Sequence, residues 1–339
     1  MRYTLLLWPH ANARYQTETR RLALCELRLM LGRVAPEATA EIDEASAMPS
    51  LLIETPMPLD APAISAIGAH SLLYGLFERR EDGALMPVAG RDQARFGADL
   101  PAILKYKGKT NELFLQLLMN AALWSGDFWR EEGPLEFLDP MCGRATAPFI
   151  ALNRGWNAMG ADIDKNDLKE AEKFYKRYLE YHRFKYTLSR ESRTVQGGPA
   201  VPVTCFDAAA AEDFKAGRSL RLSLMNTDAA RLDGALGKAR FHLIACDLPY
   251  GVQHDAHASH GRGGLEGLLA AALPGWRRLL KTGGSVAVSF NAQTLRLDRV
   301  RDIMAEAGFT VRSGGDYDDF GHWVEQAITR DVAVCVKDH

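Results

Sequence analysis

The sequence predicts an α/β protein: a Rossmann-like, doubly wound, mostly parallel seven-stranded sheet preceded by a smaller α/β domain. Three observations predict it. Strand-like and helix-like patterns alternate from about residue 101 to the end, an order that builds a parallel sheet with helices on both faces. An apolar strand at Leu135 runs straight into a small-residue turn and then a helix near Thr146. The chain has 339 residues, too many for one typical domain, but enough for one of roughly 220 residues behind a smaller one.

In the first domain, residues 1–100, Tyr3 to Trp8 reads as a strand, and Thr19, Leu22, Ala23, Glu26, Leu29 and Met30 recur at helical spacing. Leu51 to Glu54 reads as a second strand and Ile64 to Phe77 as a helix. Glu81 to Leu100 mixes glycine, proline and charge without periodicity, so it reads as a linker. In the second domain, residues 101–339, strands at Leu135–Asp139, Ala158–Asp162, Leu222–Asn226, Phe241–Cys246 and Gly284–Phe290 alternate with helices. Phe309–Arg312 and Val332–Val336 complete the seven. In the long helix after Asp164, residues Leu168, Ala171, Tyr175, Leu179 and His182 share the face expected to pack on the sheet. The stretch around 185–221 is longer than a usual crossover and reads as an insertion over the cleft.

Composition narrows the class of function. With 47% hydrophobic and 9% aromatic residues, the chain can bury a sizeable core and is neither disordered nor fibrous. A formal net charge of −2 gives no global attraction to a polyanion, so any nucleic-acid partner must be met by local patches. No stretch approaches the ~18 apolar residues that cross a bilayer, and Leu5 to Trp8 is too short for a signal sequence. The expectation is a cytoplasmic protein with no membrane partner. Cys25, Cys142, Cys205, Cys246 and Cys335 form no C-x-x-C pair, which fits reduced, buried thiols better than a zinc ribbon.

Two motifs carry chemistry. Leu135-Glu-Phe-Leu-Asp-Pro-Met-Cys-Gly-Arg-Ala-Thr146 places a turn at the carboxyl end of a strand, where doubly wound sheets bind ligands. About twenty residues on, Met159-Gly-Ala-Asp-Ile-Asp164 ends a second strand in acid, suited to ribose hydroxyls. A glycine-poor turn fits an adenosine without phosphates better than a dinucleotide. A third strand ends Asn226-Thr-Asp-Ala229, where the acid alone reads more often as a helix cap. Phe241-His-Leu-Ile-Ala-Cys-Asp-Leu-Pro-Tyr-Gly251 then delivers a carboxylate, a proline and an aromatic into the same crevice. An exocyclic amine of a base is a poor nucleophile because its lone pair is delocalised into the ring. Taking both its N–H hydrogens, on the Asp247 carboxylate and the Leu248 carbonyl ahead of Pro249, would aim that lone pair, with Tyr250 stacking on the base.

The first motif resembles the amino-methyltransferase form of the class I S-adenosylmethionine-dependent methyltransferases. Asp-Leu-Pro-Tyr-Gly is similar to the variant in the THUMP-linked guanosine-N2 methyltransferases of transfer RNA. The resemblance covers most of residues 101–339, including Lys105-Tyr-Lys-Gly-Lys-Thr-Asn-Glu112, which it places beside the cofactor cleft. It departs at Ala145, where the family has a second glycine, and at Leu248, where proline is commonest. It matches the first hundred residues less well, and no THUMP pattern is found there.

What it implies is an S-adenosylmethionine cofactor held by Asp139, Pro140, Cys142 and Gly143 at its methionine part, by Asp162 with Ile163 at the ribose, and by Asp228 with Ala229 at the adenine. Asp164 is the alternative to Asp162. Asp247, Leu248, Pro249 and Tyr250 are the implied catalytic set, Asp247 also bordering the cofactor. The implied partner is structured RNA, most readily transfer RNA. DNA, a protein or a small amine remain alternatives, as does a silent RNA-binding scaffold.

Two further features bear on substrate. Lys173, Lys176 and Arg177 lie on a basic helix face that would meet phosphates or simply face solvent. His254, His257 and His260 recur every three residues beside a glycine-rich stretch, with no second cluster of Cys, Asp or His ligands nearby in sequence. That reads as a substrate-facing loop carrying His254, not a metal site.

Overall fold

A computed structural model describes residues 1–9, 13–92, 94–106, 108–195, 200–249 and 264–338. The chain divides into two compact units. The first comprises Met1–Asp92 together with Asn291–Gln293 and Arg312–Val332, and the second comprises Gln93–Phe290, Thr294–Val311 and Ala333–His339.

The first unit contains β1 (Arg2–Leu7), α1 (Ala13–Val34), β2 (Thr39–Ile42), β3 (Ser50–Glu54), α2 (Ala61–Gly68), β4 (Leu73–Arg79) and β5 (Leu85–Gly90). Its five strands pair antiparallel in the order β2-β3-β1-β4-β5. Two expectations fail here. The helix expected over Ile64 to Phe77 ends at Gly68, and the apolar run after it is β4, because a short continuous apolar run has no period to separate helix from strand. The expected linker contains β5, an edge strand that tolerates Pro87 because one of its sides has no strand to bond. The Arg312–Val332 segment is held within this unit by the Arg21 guanidinium, which donates to the carbonyls of Asp319 and Gly321.

The second unit begins with α3 (Leu100–Ile103) and α4 (Glu112–Ser125), followed by β6 (Glu136–Asp139), α5 (Thr146–Asn153), β7 (Asn157–Asp162) and α6 (Lys165–Tyr181). Then come β8 (Lys185–Arg193), β9 (Val201–Ala209), α7 (Ala211–Lys215), β10 (Leu220–Asn226), α8 (Leu232–Leu236), β11 (Phe241–Asp247) and α9 (Gly264–Leu279). The chain continues with β12 (Leu280–Asn291), α10 (Leu297–Glu306) and β13 (Thr310–Arg312), then β14 (His322–Glu325), which falls in the first unit, and β15 (Ile328–Val336), whose residues up to Val332 belong to the first unit and the rest to the second. Strands run β13-β15-β12-β11-β6-β7-β10-β9-β8, with β14 on β15. The sheet is therefore mixed and ten-stranded, not the expected seven-stranded one.

Two of the three extra strands, β8 and β9, have an identifiable source, and β14 is the third. The stretch expected to be an insertion over the cleft supplies β8 and β9, a hairpin that extends the sheet antiparallel beyond β10. β8 is polar and largely exposed, with only Tyr186, Leu188 and Glu191 half-buried, as befits an edge strand kept from pairing with other chains. Within α6 the buried residues are Leu168, Ala171, Tyr175, Tyr178 and Leu179. The expected inward face is corrected at one position: His182 lies exposed at the C-cap, one residue past the helix, while Tyr178 is buried.

The central strands β12, β11, β6, β7 and β10 are parallel to one another. The chain leaves β6 toward β7 and β10 on one side and returns through β11 toward β12 on the other. The β6/β11 pair is thus the topological switch point, and the crevice outside its carboxyl ends is where such sheets take ligands.

Candidate active site

Both strands at the switch point end in acid. Asp139 closes β6 and is 5% exposed. Its carboxylate accepts the Met141 N–H at 3.1 Å. Burial drives its pKa well above the ordinary carboxylate value, and the neighbouring charges of Asp162 and Asp247 add to this. Burial thus favours the neutral carboxyl, and a positive charge in the crevice would favour its ionised form.

The turn after Asp139 is fixed by backbone. Cys142 N–H bonds the Ala161 carbonyl at 2.9 Å, and Gly143 N–H bonds Asp162 Oδ2 at 2.7 Å. Cys142 packs directly over Gly160, where a Cβ would stand 2.7 Å from its sulfur. Gly143 (φ 50°) and Ala145 (φ 67°) both adopt left-handed backbone. The alanine in place of a glycine therefore sits in the strained region, at a cost of ~1 kcal/mol, and the turn forms nonetheless.

Asp162 closes β7 and ties two loops: Oδ2 to Gly143 N–H, and Oδ1 to Asp164 N–H at 2.8 Å. Each oxygen retains a second acceptor direction. Burial raises its pKa, and the two N–H bonds oppose that. Asp164, the alternative acid, is the N-cap of α6 and accepts the Asn166 N–H. Beside Asp162 the Ile163 side chain is 63% exposed, an apolar surface among acids that suits a flat ring. Asn226 at the tip of β10 holds the carbonyls of Asp162 and Ile163, each at 3.0 Å. Asp228 caps a short turn through Ala230 N–H, and the carbonyl of buried Ala229 accepts Trp276 Nε1–H at 3.0 Å.

Asp247 closes β11, and hydroxyls hold both of its carboxylate oxygens: Ser289 donates to Oδ1 and Thr110 to Oδ2. Leu248 is buried, and its N–H bonds the Ser289 carbonyl at 2.9 Å, while Pro249 is exposed. Along the same crevice Tyr106 lies 3.4 Å from Thr146 Oγ1, with the Arg144 guanidinium 4.8 Å above its ring. That guanidinium also pairs with Asp167 at 2.8 Å. Burial pushes the thiols of Cys142 and Cys246 well above their ordinary value, which disfavours the thiolate at these two positions.

The fold thus gathers Asp139, Pro140, Cys142, Gly143, Asp162, Ile163, Asp228, Ala229, Asp247 and Leu248 at the carboxyl ends of neighbouring strands. Tyr250 and His254 lie outside the described residues. Lys173, Lys176 and Arg177 sit on α6, which leads away from the crevice. Lys173 is nine residues past Asp164, ~13 Å along the axis. Lys173 and Lys176 each lie 4.0 Å from an acid of the same helix, Glu170 and Glu180. Tyr106, Thr110 and Ser289 escaped the sequence reading as individual residues. Only the Lys105–Glu112 stretch, expected beside the cleft, pointed toward two of them.

No family model matches the chain, and no curated protein matches it. Solved structures similar to it include TrmN from Thermus thermophilus, at 15% identity over 99% of this chain and 100% of that one, with a TM-score of 0.43. Magnesium protoporphyrin IX methyltransferase from Synechocystis, with bound SAM, is 14% identical over 71% of this chain and 90% of its own, TM-score 0.40. Ribosomal protein L11 methylase from Lactobacillus delbrueckii is 14% identical over 68% and 81%, TM-score 0.38. Among the described residues no group of three or more His, Cys, Asp or Glu could hold a metal ion, and no helix is long and apolar enough to cross a membrane.

Proposed function

We propose that this protein is an S-adenosylmethionine-dependent methyltransferase acting on an exocyclic amino nitrogen of a nucleic-acid base, guanine N2 of structured RNA such as transfer RNA. The observation that carries the proposal is Asp247: a carboxylate at the end of β11, oriented through both oxygens, beside the buried Asp139 at the switch point.

The crevice fits that cofactor. Asp162 offers free acceptor directions to two ribose hydroxyls, and the exposed Ile163 offers a face to adenine. Asp139 faces the cationic methionine part, and Asp228 keeps one oxygen beyond its cap for the adenine amino group. Arg144 is engaged by Asp167, which agrees with a ligand that carries no phosphate. When bound, the cofactor supplies an electrophilic methyl group. The protein's part is orientation: Asp247 accepts one N–H of the substrate amine and the Leu248 carbonyl the other, which turns the nitrogen lone pair toward that methyl group. Pro249 restricts the direction of that carbonyl, and Tyr250 stacks on the base.

Residues 1–92 contain no lysine and more acidic than basic side chains. Phosphate contacts are therefore assigned to the second unit, with Lys173, Lys176, Arg177 and His254 as candidates. Nucleoside mass spectrometry of RNA and DNA from a strain lacking the gene tests the reading: N2-methylguanosine should fall in RNA. Unchanged RNA with a methyl mark lost from DNA, protein or a small amine would move the substrate to that class. Calorimetry showing no S-adenosylmethionine binding would leave a silent scaffold.

A further inference from the structure

A lone aspartate at a strand end does not fix its own carboxylate, because the terminal torsion of Asp is broad and roughly twofold. Asp247 is held from two separate elements. Ser289, fully buried, is its registered neighbour on β12, so both side chains leave the sheet on the same face. Thr110 arrives from the opposite direction in sequence, 137 residues earlier, on the segment before α4. That segment has its own anchors: Lys109 Nζ donates to the Pro101 carbonyl at 2.7 Å, and Asn111 caps α4 through the N–H groups of Leu113 and Phe114.

Neither hydroxyl is needed to complete a helix cap or the β11–β12 ladder. What they share is the carboxylate. We infer that Thr110 and Ser289 are positioning residues that set the orientation in which Asp247 meets the substrate amine; this rests on the role given to Asp247 above. The arrangement also suits Asp better than Asn at 247. A carboxylate accepts both hydroxyl protons at once, whereas the amide of Asn accepts with one atom and donates with the other.

The test uses the full chain, tritiated S-adenosylmethionine and RNA from the strain lacking the gene. Thr110→Val keeps the shape and removes the donor, so kcat should fall about tenfold or more, the scale of a hydrogen bond to a charged group. KM for the RNA and cofactor affinity by calorimetry should stay within about twofold, since neither ligand is held by Thr110. Thr110→Ser should recover most of the turnover, and Ser289→Ala should behave as Thr110→Val does. In an Asp247→Asn background, Thr110→Val should cost less than in the wild type, because the amide engages only part of the pair.

Equal kcat for Thr110→Val and wild type would overturn the inference, as would failure of Thr110→Ser to recover or a loss confined to KM. Absence of transfer by the wild type would overturn the reading of function and this inference with it. Wild-type transfer with an unaffected Thr110→Val would overturn this inference alone.

Discussion

Gly160→Ala probes how the cofactor turn is seated. A Cβ at this position would lie 2.7 Å from Cys142 Sγ, 3.1 Å from Cys142 Cβ and 3.1 Å from Pro148 Cγ. All three distances are inside the ~3.5–4.0 Å at which carbon contacts are favourable. Cys142 cannot turn away freely: it is buried, and its N–H is fixed to the Ala161 carbonyl at 2.9 Å. Overpacking of this kind costs roughly 1–3 kcal/mol. Because Gly143 follows Cys142 and bonds Asp162 at 2.7 Å, displacing the cysteine also displaces the turn. Gly160→Ala should thus lower stability by about 2 kcal/mol in urea denaturation and weaken S-adenosylmethionine binding in calorimetry. Cys142→Ala removes the worst of the three contacts, so the double variant should recover about half of the loss, and the two changes should be non-additive. Strict additivity would show that Gly160 is not seated against Cys142, and the account of the turn would be wrong.

Asp162→Ala removes the acceptor for two backbone N–H groups and two free acceptor directions, so S-adenosylmethionine affinity should drop by ~2 kcal/mol; unchanged affinity in calorimetry would move the ribose assignment elsewhere. Stability should also depend on pH through His242, whose pKa is held down to about 4 by burial and then by the Lys281 ammonium. The folded state binds fewer protons than the unfolded chain between the ordinary 6.5 and about 4, so stability is full above that window and falls as pH drops through it, by at most about 3 kcal/mol from this residue. His242→Asn, which keeps an acceptor for the Glu136 N–H, should flatten this acid limb, and an identical pH dependence in the variant would refute the assignment.

The core of the second unit was legible because its strands β6, β7, β10, β11 and β12 carry apolar runs bounded by turns, and the first four of them run into Asp-containing motifs. The strands that escaped notice lack that signal. β8 is a polar edge strand, and β5 is an edge strand interrupted by Pro87. β4 was legible as apolar but not as a strand, since Leu73-Tyr-Gly-Leu-Phe77 is a short apolar run in which no polar residue alternates. The basic face of α6 was equally visible, but its acids are part of the same face, and Glu170 and Glu180 sit within reach of Lys173 and Lys176.

Local sequence, by itself, determined the acids at the strand ends. A strand running into a tight turn must deliver its last side chain to the carboxyl edge of a parallel sheet, and Asp139, Asp162 and Asp247 occupy that position. What only the tertiary structure decided is how those acids are held. Ala145 could have had either sign of φ, and it has the positive one. Asp162 and Asp164 were equivalent as letters until one was bonded to the Gly143 N–H and the other became a helix cap. Thr110 and Ser289 meet Asp247 across 137 and 42 residues. Periodicity and motifs report on neighbours along the chain, whereas a hydroxyl brought to a carboxylate by sheet register and a distant helix cap leaves no mark at either position in the sequence.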